Sequence, residues 1–110
     1  MVSCNYANSG CGGGWLSEST NYLINHGVVT DDCLSYASVD GDNVRCKYKC
    51  DDKSTEYKKY GCKFNSMKIM TNTEEIQRDI MENGPAMFGF VVYTDFMSFR
   101  TGIYETLNSA

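Results

Sequence analysis

The stretch VSCNYANSGCGGGWL, residues 2–16, decides how the rest of the sequence is interpreted. It places two cysteines and two asparagines around a triple glycine at residues 12–14. Glycine adopts backbone conformations closed to other residues and lets another chain come close to the main chain. The stretch therefore predicts a tight loop at which the backbone comes close to another group.

The residues that follow this loop predict a helix. Residues 15–26 are compatible with helical structure, with Leu16, Thr20 and Leu23 on a shared face. Gly27 then supplies a stop directly after His26. A polar or cationic side chain at a helix C-terminus is favoured by the helix dipole, so His26 is interpreted as a helix-end residue and not as a ligand or catalytic base.

Six cysteines, at positions 4, 11, 33, 46, 50 and 62, indicate disulfides formed outside the reducing cytosol. The residues alone leave many connectivities open. No C-x-x-C pair occurs and the chain has one histidine, so no zinc site is expected. The acidic turns at residues 40–43 and 51–52 lack the ordered ligands of an EF-hand loop, so no metal is expected there either.

Charge and hydropathy exclude two classes of partner. The formal net charge is -4, and the ten basic residues form no basic run, so neither nucleic acid nor an anionic membrane surface is an expected partner. No apolar stretch approaches the length of a membrane span. The opening residues do not resemble a signal peptide, so the targeting segment of a secreted parent would lie upstream.

The composition changes near Phe64, which we take as a candidate boundary. Residues 28–64 carry four cysteines among polar residues with little periodicity, and they predict a loop held by cross-links. Beyond Phe64, residues 67–70, 88–93 and 103–104 predict strands, the second of them buried.

One helix is expected between these strands. Thr71 and Glu74 have capping-box spacing ahead of Ile76 and Ile80, which lie one helical turn apart. The NGP at residues 83–85 ends the pattern, since proline cannot continue a helix.

Five motifs in order along the chain resemble the papain family of cysteine proteases, and within it cathepsin B. The first combines VSC at residues 2–4 with GCGGGW at 10–15, and the other four are GVVTDDCLSY at 27–36, NGP at 83–85, VYTDF at 92–96 and GIYE at 102–105. The resemblance implies an α+β papain-like fold. Residues 1–64 would belong to the helical lobe and residues 65–110 to the start of the β-rich lobe of one peptidase domain.

The same resemblance implies that this chain holds no catalytic residue. The family's nucleophile lies in a C-G-S-C-W motif expected upstream, and its histidine in an H-A-V motif expected downstream; neither motif occurs here. A thiol attacks a peptide poorly without a neighbouring imidazole. The segment is thus expected to be inactive alone and to require the N- and C-terminal parts of the domain as partners.

What the segment would supply is part of the substrate cleft. By the resemblance, the backbone at Gly13 and Gly14 pairs with an extended peptide, Trp15 and Leu16 line the pocket for the second residue on the acyl side of the cut, and Gly89 forms its floor. Gly12 departs from the family's asparagine. The competing interpretation of Trp15 is a core side chain.

The resemblance also implies two disulfides, Cys4 with Cys46 and Cys33 with Cys50. Cys11 would have no mate in this chain and Cys62 has no counterpart. A bridge between Cys50 and Cys62, with Cys33 free, is the alternative.

The resulting expectation is an endopeptidase segment without cofactor, acting on peptides or proteins in a lysosome or vacuole or after secretion. The two histidines of the cathepsin B occluding loop are absent, so carboxydipeptidase action is not implied. Two alternatives are an inactive homologue that only binds peptides and a cysteine-rich secreted structural module. The structural module predicts a bridge between Cys11 and Cys62.

Overall fold

The computed structural model describes residues 1–107. Two α-helices are formed, α1 over Leu16–Asn25 and α2 over Thr73–Asn83, together with short 3₁₀ helices at Gly10–Gly12 and Thr94–Ser98. The rest of the described chain is loop and turn. No helix in this part of the chain is both long enough and apolar enough to cross a bilayer.

Helix α1 follows the pattern expected for residues 15–26. Its end is set by backbone geometry: the N–H of His26 donates to the carbonyl of Tyr22 at 2.9 Å, and Gly27 turns the chain with a φ of +73°. The His26 ring lies 4.9 Å from the Tyr22 ring, centroid to centroid. The prediction of a helix that stops at Gly27 is confirmed.

Helix α2 is confirmed, but its predicted cap is wrong by one residue. Asn72, and not Thr71, caps the helix: its Oδ1 accepts the N–H groups of Glu74 at 2.9 Å and of Glu75 at 3.3 Å. Asparagine is the stronger N-cap residue because its short side chain reaches these free N–H groups readily. The helix ends at Asn83, ahead of Gly84.

None of the three predicted strands is formed among residues 1–107, so the α+β class is not confirmed by the structure. A strand needs a hydrogen-bonded partner along its length. The described residues offer one isolated antiparallel bridge, between Val28 and Tyr60, with both N–H to O distances at 2.7 Å. The side chains of residues 88–93 are exposed, against the expectation of a buried strand.

Covalent cross-links hold the first part of the chain. The disulfides join Cys4 to Cys46 and Cys33 to Cys50, the pairings that the resemblance implies. Their loops overlap in sequence, and Cys33, Cys46 and Cys50 are themselves buried. Residues 28–64 are loop and turn around these bridges, as predicted.

The fold buries little of its apolar surface. The accessible surface is 9450 Å², against about 6100 Å² for a folded monomer of this mass. The radius of gyration is 16.9 Å, against about 13 Å for a compact domain of this length. Disulfides and turns, and not a closed apolar core, therefore give the described chain its shape.

Candidate functional site

The glycine loop, residues 10–16, begins with a 3₁₀ turn and leads into α1. The N–H of Gly13 donates to the carbonyl of Gly10 at 3.1 Å, and the carbonyl of Gly13 accepts the N–H of Ser9 at 2.8 Å. Gly13 has φ +97° and ψ -164°, a conformation that only glycine adopts at low cost. A Cβ at Gly13 would meet no atom within 4 Å, so the backbone angle requires glycine here while the space above it is open.

Asn8 holds the far end of the glycine loop. Its Oδ1 accepts the N–H of Trp15 at 2.8 Å, and its Nδ2 donates to the carbonyl of Trp15 at 3.2 Å and to Oγ of Ser19 at 3.1 Å. Sequence reasoning missed this residue. The two asparagines of the stretch were visible, but the patterns that predict asparagine contacts join it to groups two or three residues away, and Trp15 lies further along the chain.

Gly14 lies between Gly13 and Trp15, the residue whose backbone Asn8 binds. A Cβ on Gly14 would collide with Cβ, Cγ and Oδ1 of Asn8. Within residues 1–107, no hydrogen bond is made by the N–H or by the C=O of Gly14. Its backbone therefore offers one donor and one acceptor to an incoming extended chain.

Trp15 and Leu16 follow directly, and both side chains are accessible. Trp15 is 76% exposed, so it is not a core residue among the described part of the chain. The Leu16 Cδ1 lies 3.9 Å from the position of a Cβ on Gly89. The structure thus brings Leu16 and Gly89 together, although they are far apart in sequence.

The space around this loop is a shallow pocket of about 160 Å³. Its lining includes Gly13, Gly14, Trp15 and Leu16, whereas Gly89 borders Leu16 from outside it. A larger pocket of about 400 Å³ is lined by residues between Met1 and Tyr57, the part of the chain that contains both disulfides. Tyr22 lines this second pocket, and burial, followed by its neighbour Tyr57, raises the pKa of the Tyr22 hydroxyl.

Two cysteines remain as thiols. Cys11 is exposed; its N–H donates to Oδ1 of Asn43 at 2.8 Å. Cys62 is exposed, and its N–H donates to the carbonyl of Leu23 at 3.1 Å. Neither the Cys11–Cys62 bridge of the structural-module alternative nor the Cys50–Cys62 bridge is formed.

The described residues hold no cluster of three His, Cys, Asp or Glu side chains that could bind a metal ion. His26, the one histidine, contacts Tyr22, and within residues 1–107 no hydrogen bond joins its ring to a thiol.

Comparison with known proteins identifies the family. The model of the papain family cysteine proteases matches residues 1–110. The chain therefore belongs to the papain family of cysteine proteases.

Individual relatives agree with this assignment. Cathepsin B-like CP2 of Giardia intestinalis is 32% identical over 96% of the chain and 35% of its own length. Cathepsin B of Dictyostelium discoideum is 27% identical over 94% of the chain and 37% of its own length. Pro-cathepsin H of Bos taurus is 34% identical over 96% of the chain and 30% of its own length. The chain spans about a third of the length of these relatives.

Proposed function

We propose that this chain is a segment of a papain-like cysteine endopeptidase and supplies one wall of its substrate cleft. The observation that carries the proposal is the free backbone pair of Gly14, one N–H and one C=O, held at the surface of the glycine loop. Two such groups on one residue are what an extended peptide needs to pair in antiparallel fashion.

Trp15 and Leu16 line a pocket beside this pairing site, and Gly89 borders Leu16 from outside that pocket. Trp15 exposes its ring, and Leu16 lies against Gly89, where the lack of a side chain leaves room. Aromatic and aliphatic walls suit an apolar side chain, and the floor assigned to Gly89 rests on the family resemblance. We assign that pocket to the second residue on the acyl side of the cut.

The bond-breaking groups come from outside residues 1–110 in this proposal. Hydrolysis needs a thiolate activated by an imidazole, which first takes the thiol proton and then delivers a proton to the leaving amine. His26, Cys11 and Cys62 are not assigned to this pair. Residues 1–64 belong to the helical lobe and residues 65–110 to the β-rich lobe; residues 108–110 lie outside the described part.

The setting of the proposed enzyme follows from its cross-links. Two disulfides are stable in a lysosome, a vacuole or the extracellular space, and peptides or proteins are the substrates. The remaining parts of the peptidase domain are the partners that cover the exposed apolar side chains of residues 65–107. Nucleic acid, membrane and cofactor have no part in this function.

A chimaera tests the proposal. Residues 1–110 replace the corresponding third of a cathepsin B-like relative, and kcat/KM is measured on peptides that vary in the second residue before the cut. We expect hydrolysis with a preference for aromatic or aliphatic residues at this position. For the peptide with Phe there, Trp15→Ala should lower kcat/KM roughly tenfold because an apolar wall of the pocket is lost. Tyr48→Ala, which removes an exposed aromatic side chain outside the loop and outside both pockets, is the matched control and should leave kcat/KM unchanged.

The 110-residue chain alone is the second arm. It should hydrolyse no peptide, before or after treatment with iodoacetamide. Turnover by the purified chain that disappears on thiol alkylation would contradict the assignment of catalysis to other parts of the domain.

A further inference from the structure

We propose that Asn8 is the positioning residue of the substrate-binding loop and that it fixes the register in which a peptide pairs with Gly14. This inference rests on the proposed function, because it names the residue that prepares the same site. Asn8 touches no substrate; it acts through Trp15 and Gly14.

The first step of the argument is the chemistry of the contact. An amide side chain carries an acceptor oxygen and a donor NH₂ on one carbon, so it can bond the N–H and the C=O of one residue at the same time. Asn8 does this at Trp15, with 2.8 Å to the N–H and 3.2 Å to the C=O. Asn8 is the one partner of the Trp15 N–H, whereas the Trp15 C=O also accepts the N–H of Ser19 at 3.1 Å at the start of α1.

The second step is that this contact occupies the Trp15 N–H, the one backbone group of Trp15 that would otherwise be free to compete for a peptide carbonyl. Gly14 and Trp15 are neighbours in an accessible loop, and Trp15 has an extended backbone, with φ -99° and ψ 138°. With Asn8 in place, Gly14 alone of the two has an N–H and a C=O free within the described chain. A shift of one residue in pairing would turn every peptide side chain to the opposite face.

The third step concerns the position of Gly14 itself. The Asn8 side chain fills the space that a Cβ on Gly14 would need, so glycine is required there by contact with Asn8 as well as by access for a peptide. The bond from Asn8 Nδ2 to Ser19 Oγ, 3.1 Å long, ties this contact to the first turns of α1. Asn8 therefore joins the loop to the helix that follows it.

Amide NMR of the isotope-labelled 110-residue chain tests the proposal with two readouts. Hydrogen exchange of the Trp15 amide reports the contact without any peptide. Titration with acetyl-Phe-Gly-amide, an apolar probe, reports affinity and also which amides shift. In the unmodified chain we expect a protected Trp15 amide and a peptide-induced shift centred on Gly14.

Three variants separate positioning from general stability. Asn8→Ala should speed Trp15 exchange about fivefold to tenfold, weaken peptide binding by a similar factor and spread the peptide-induced shifts from Gly14 to Trp15. Asn8→Asp keeps an acceptor for the Trp15 N–H and should retain its protection. Asn43→Ala removes a bond of equal length to the same loop, at the Cys11 N–H, and should leave both readouts at Trp15 and Gly14 unchanged.

The outcomes are distinct. If the unmodified chain binds the probe and Asn8→Ala binds it equally, with shifts still confined to Gly14, the positioning role is wrong and the cleft wall stands. If Asn43→Ala reproduces the Asn8→Ala result, Asn8 is only one structural contact among several, and the proposal is again wrong. If the unmodified chain binds no probe, the cleft wall itself fails, and the register role is lost with it.

Discussion

Residues 1–62 and residues 63–107 have similar proportions of apolar residues but are held in different ways. The disulfide-held part, residues 1–62, contains both cross-links and every buried residue of the described chain. The apolar part, residues 63–107, contains no buried residue, and its large apolar side chains that are more than 70% exposed are Phe64, Ile69, Met81, Phe88, Val91, Met97, Ile103 and Leu107.

This difference shows what each part needs in order to have a shape. In the disulfide-held part, cross-links and side-chain bonds to backbone fix loops that bury little apolar surface. In the apolar part, one helix and an aromatic group around Phe96, with Phe90 at 5.1 Å and Tyr104 at 4.9 Å, give only local order. In the proposed function, this exposed apolar set is the surface that the rest of the peptidase domain covers.

Removing the disulfides should have the largest effect on stability and should unfold residues 1–62 only. On chain-entropy grounds, Cys4→Ala with Cys46→Ala costs about 4 kcal/mol, and Cys33→Ala with Cys50→Ala about 3 kcal/mol, because the bridges close loops with sequence separations of 42 and 17. Amide NMR should lose the dispersed signals of residues 1–62 while those of α2 persist. Loss of the α2 signals in either variant would show that the two parts are not held separately.

A glycine pair sharpens the description of the disulfide-held part. A Cβ on Gly27 would lie 2.8 Å from the carbonyl oxygen of Tyr60, which is rigid backbone, while a Cβ on Gly41 would meet nothing within 4 Å. Both glycines have positive φ, +73° and +84°, so alanine costs about 1–2 kcal/mol at either position for the backbone angle alone.

The contact between a Cβ at residue 27 and the Tyr60 carbonyl should add about 1–3 kcal/mol to the loss of stability in Gly27→Ala, and nothing in Gly41→Ala. Urea unfolding of Gly27→Ala and Gly41→Ala measures this difference. Equal losses of stability would mean that the Val28–Tyr60 bridge does not hold this end of α1.

A smaller effect is expected at the cap of α2. Asn72→Ala removes the bonds to the N–H groups of Glu74 and Glu75 and should lower the stability of this helix by about 1 kcal/mol. Asn72→Asp keeps the acceptor and is the matched control. Far-UV circular dichroism measures the helix content, and an Asn72→Ala spectrum equal to that of the unmodified chain would contradict the cap.

The sequence predicted those features that depend on neighbouring residues. Gly27 after a helical run and Gly84 after another gave the ends of α1 and α2, since a left-handed residue stops a helix locally. The triple glycine at residues 12–14 predicted a tight loop for the same reason. The predicted cap lies one residue before Asn72. Thr71 and Asn72 are both acceptable caps, and the choice between them depends on the backbone conformation with which the chain enters the helix.

Features that depend on distant residues were not predictable from the residues alone. The disulfide pairs came from the family resemblance, because spacing leaves many connectivities open. The role of Asn8 was missed because only the folded loop brings its side chain next to Trp15, seven residues further along the chain. The strand at residues 88–93 was expected from its β-branched and aromatic side chains, but a ladder needs a partner strand that residues 1–107 do not supply.

The smallest effect is expected from lowering the pH, which should change the hydrogen bonds of residues 63–107 but not the fold of residues 1–62. The Tyr104 hydroxyl donates to Oδ1 of Asp95 at 2.6 Å and the Leu107 N–H to Oδ2 at 2.9 Å; these bonds, the first most strongly, lower the pKa of the Asp95 carboxyl below its ordinary 3.8. In the disulfide-held part, a hydrogen bond from Lys47, followed by one from Ser35, lowers the pKa of Asp51 in the same way.

A carboxyl whose pKa is lowered by folding contributes stability that is present above the ordinary pKa and is lost as the pH falls through the lowered value. We therefore expect no change between about pH 7 and pH 5. Below about pH 4, the Tyr104 and Leu107 NMR signals should move as their acceptor is protonated, and Asp95→Asn should abolish that step. The signals around Asp51 should keep their folded dispersion through the same titration, because the Cys33–Cys50 bridge holds that loop whether or not the carboxylate is charged. A simultaneous loss of both sets of signals would mean that charge, and not the cross-link, holds the first part of the chain.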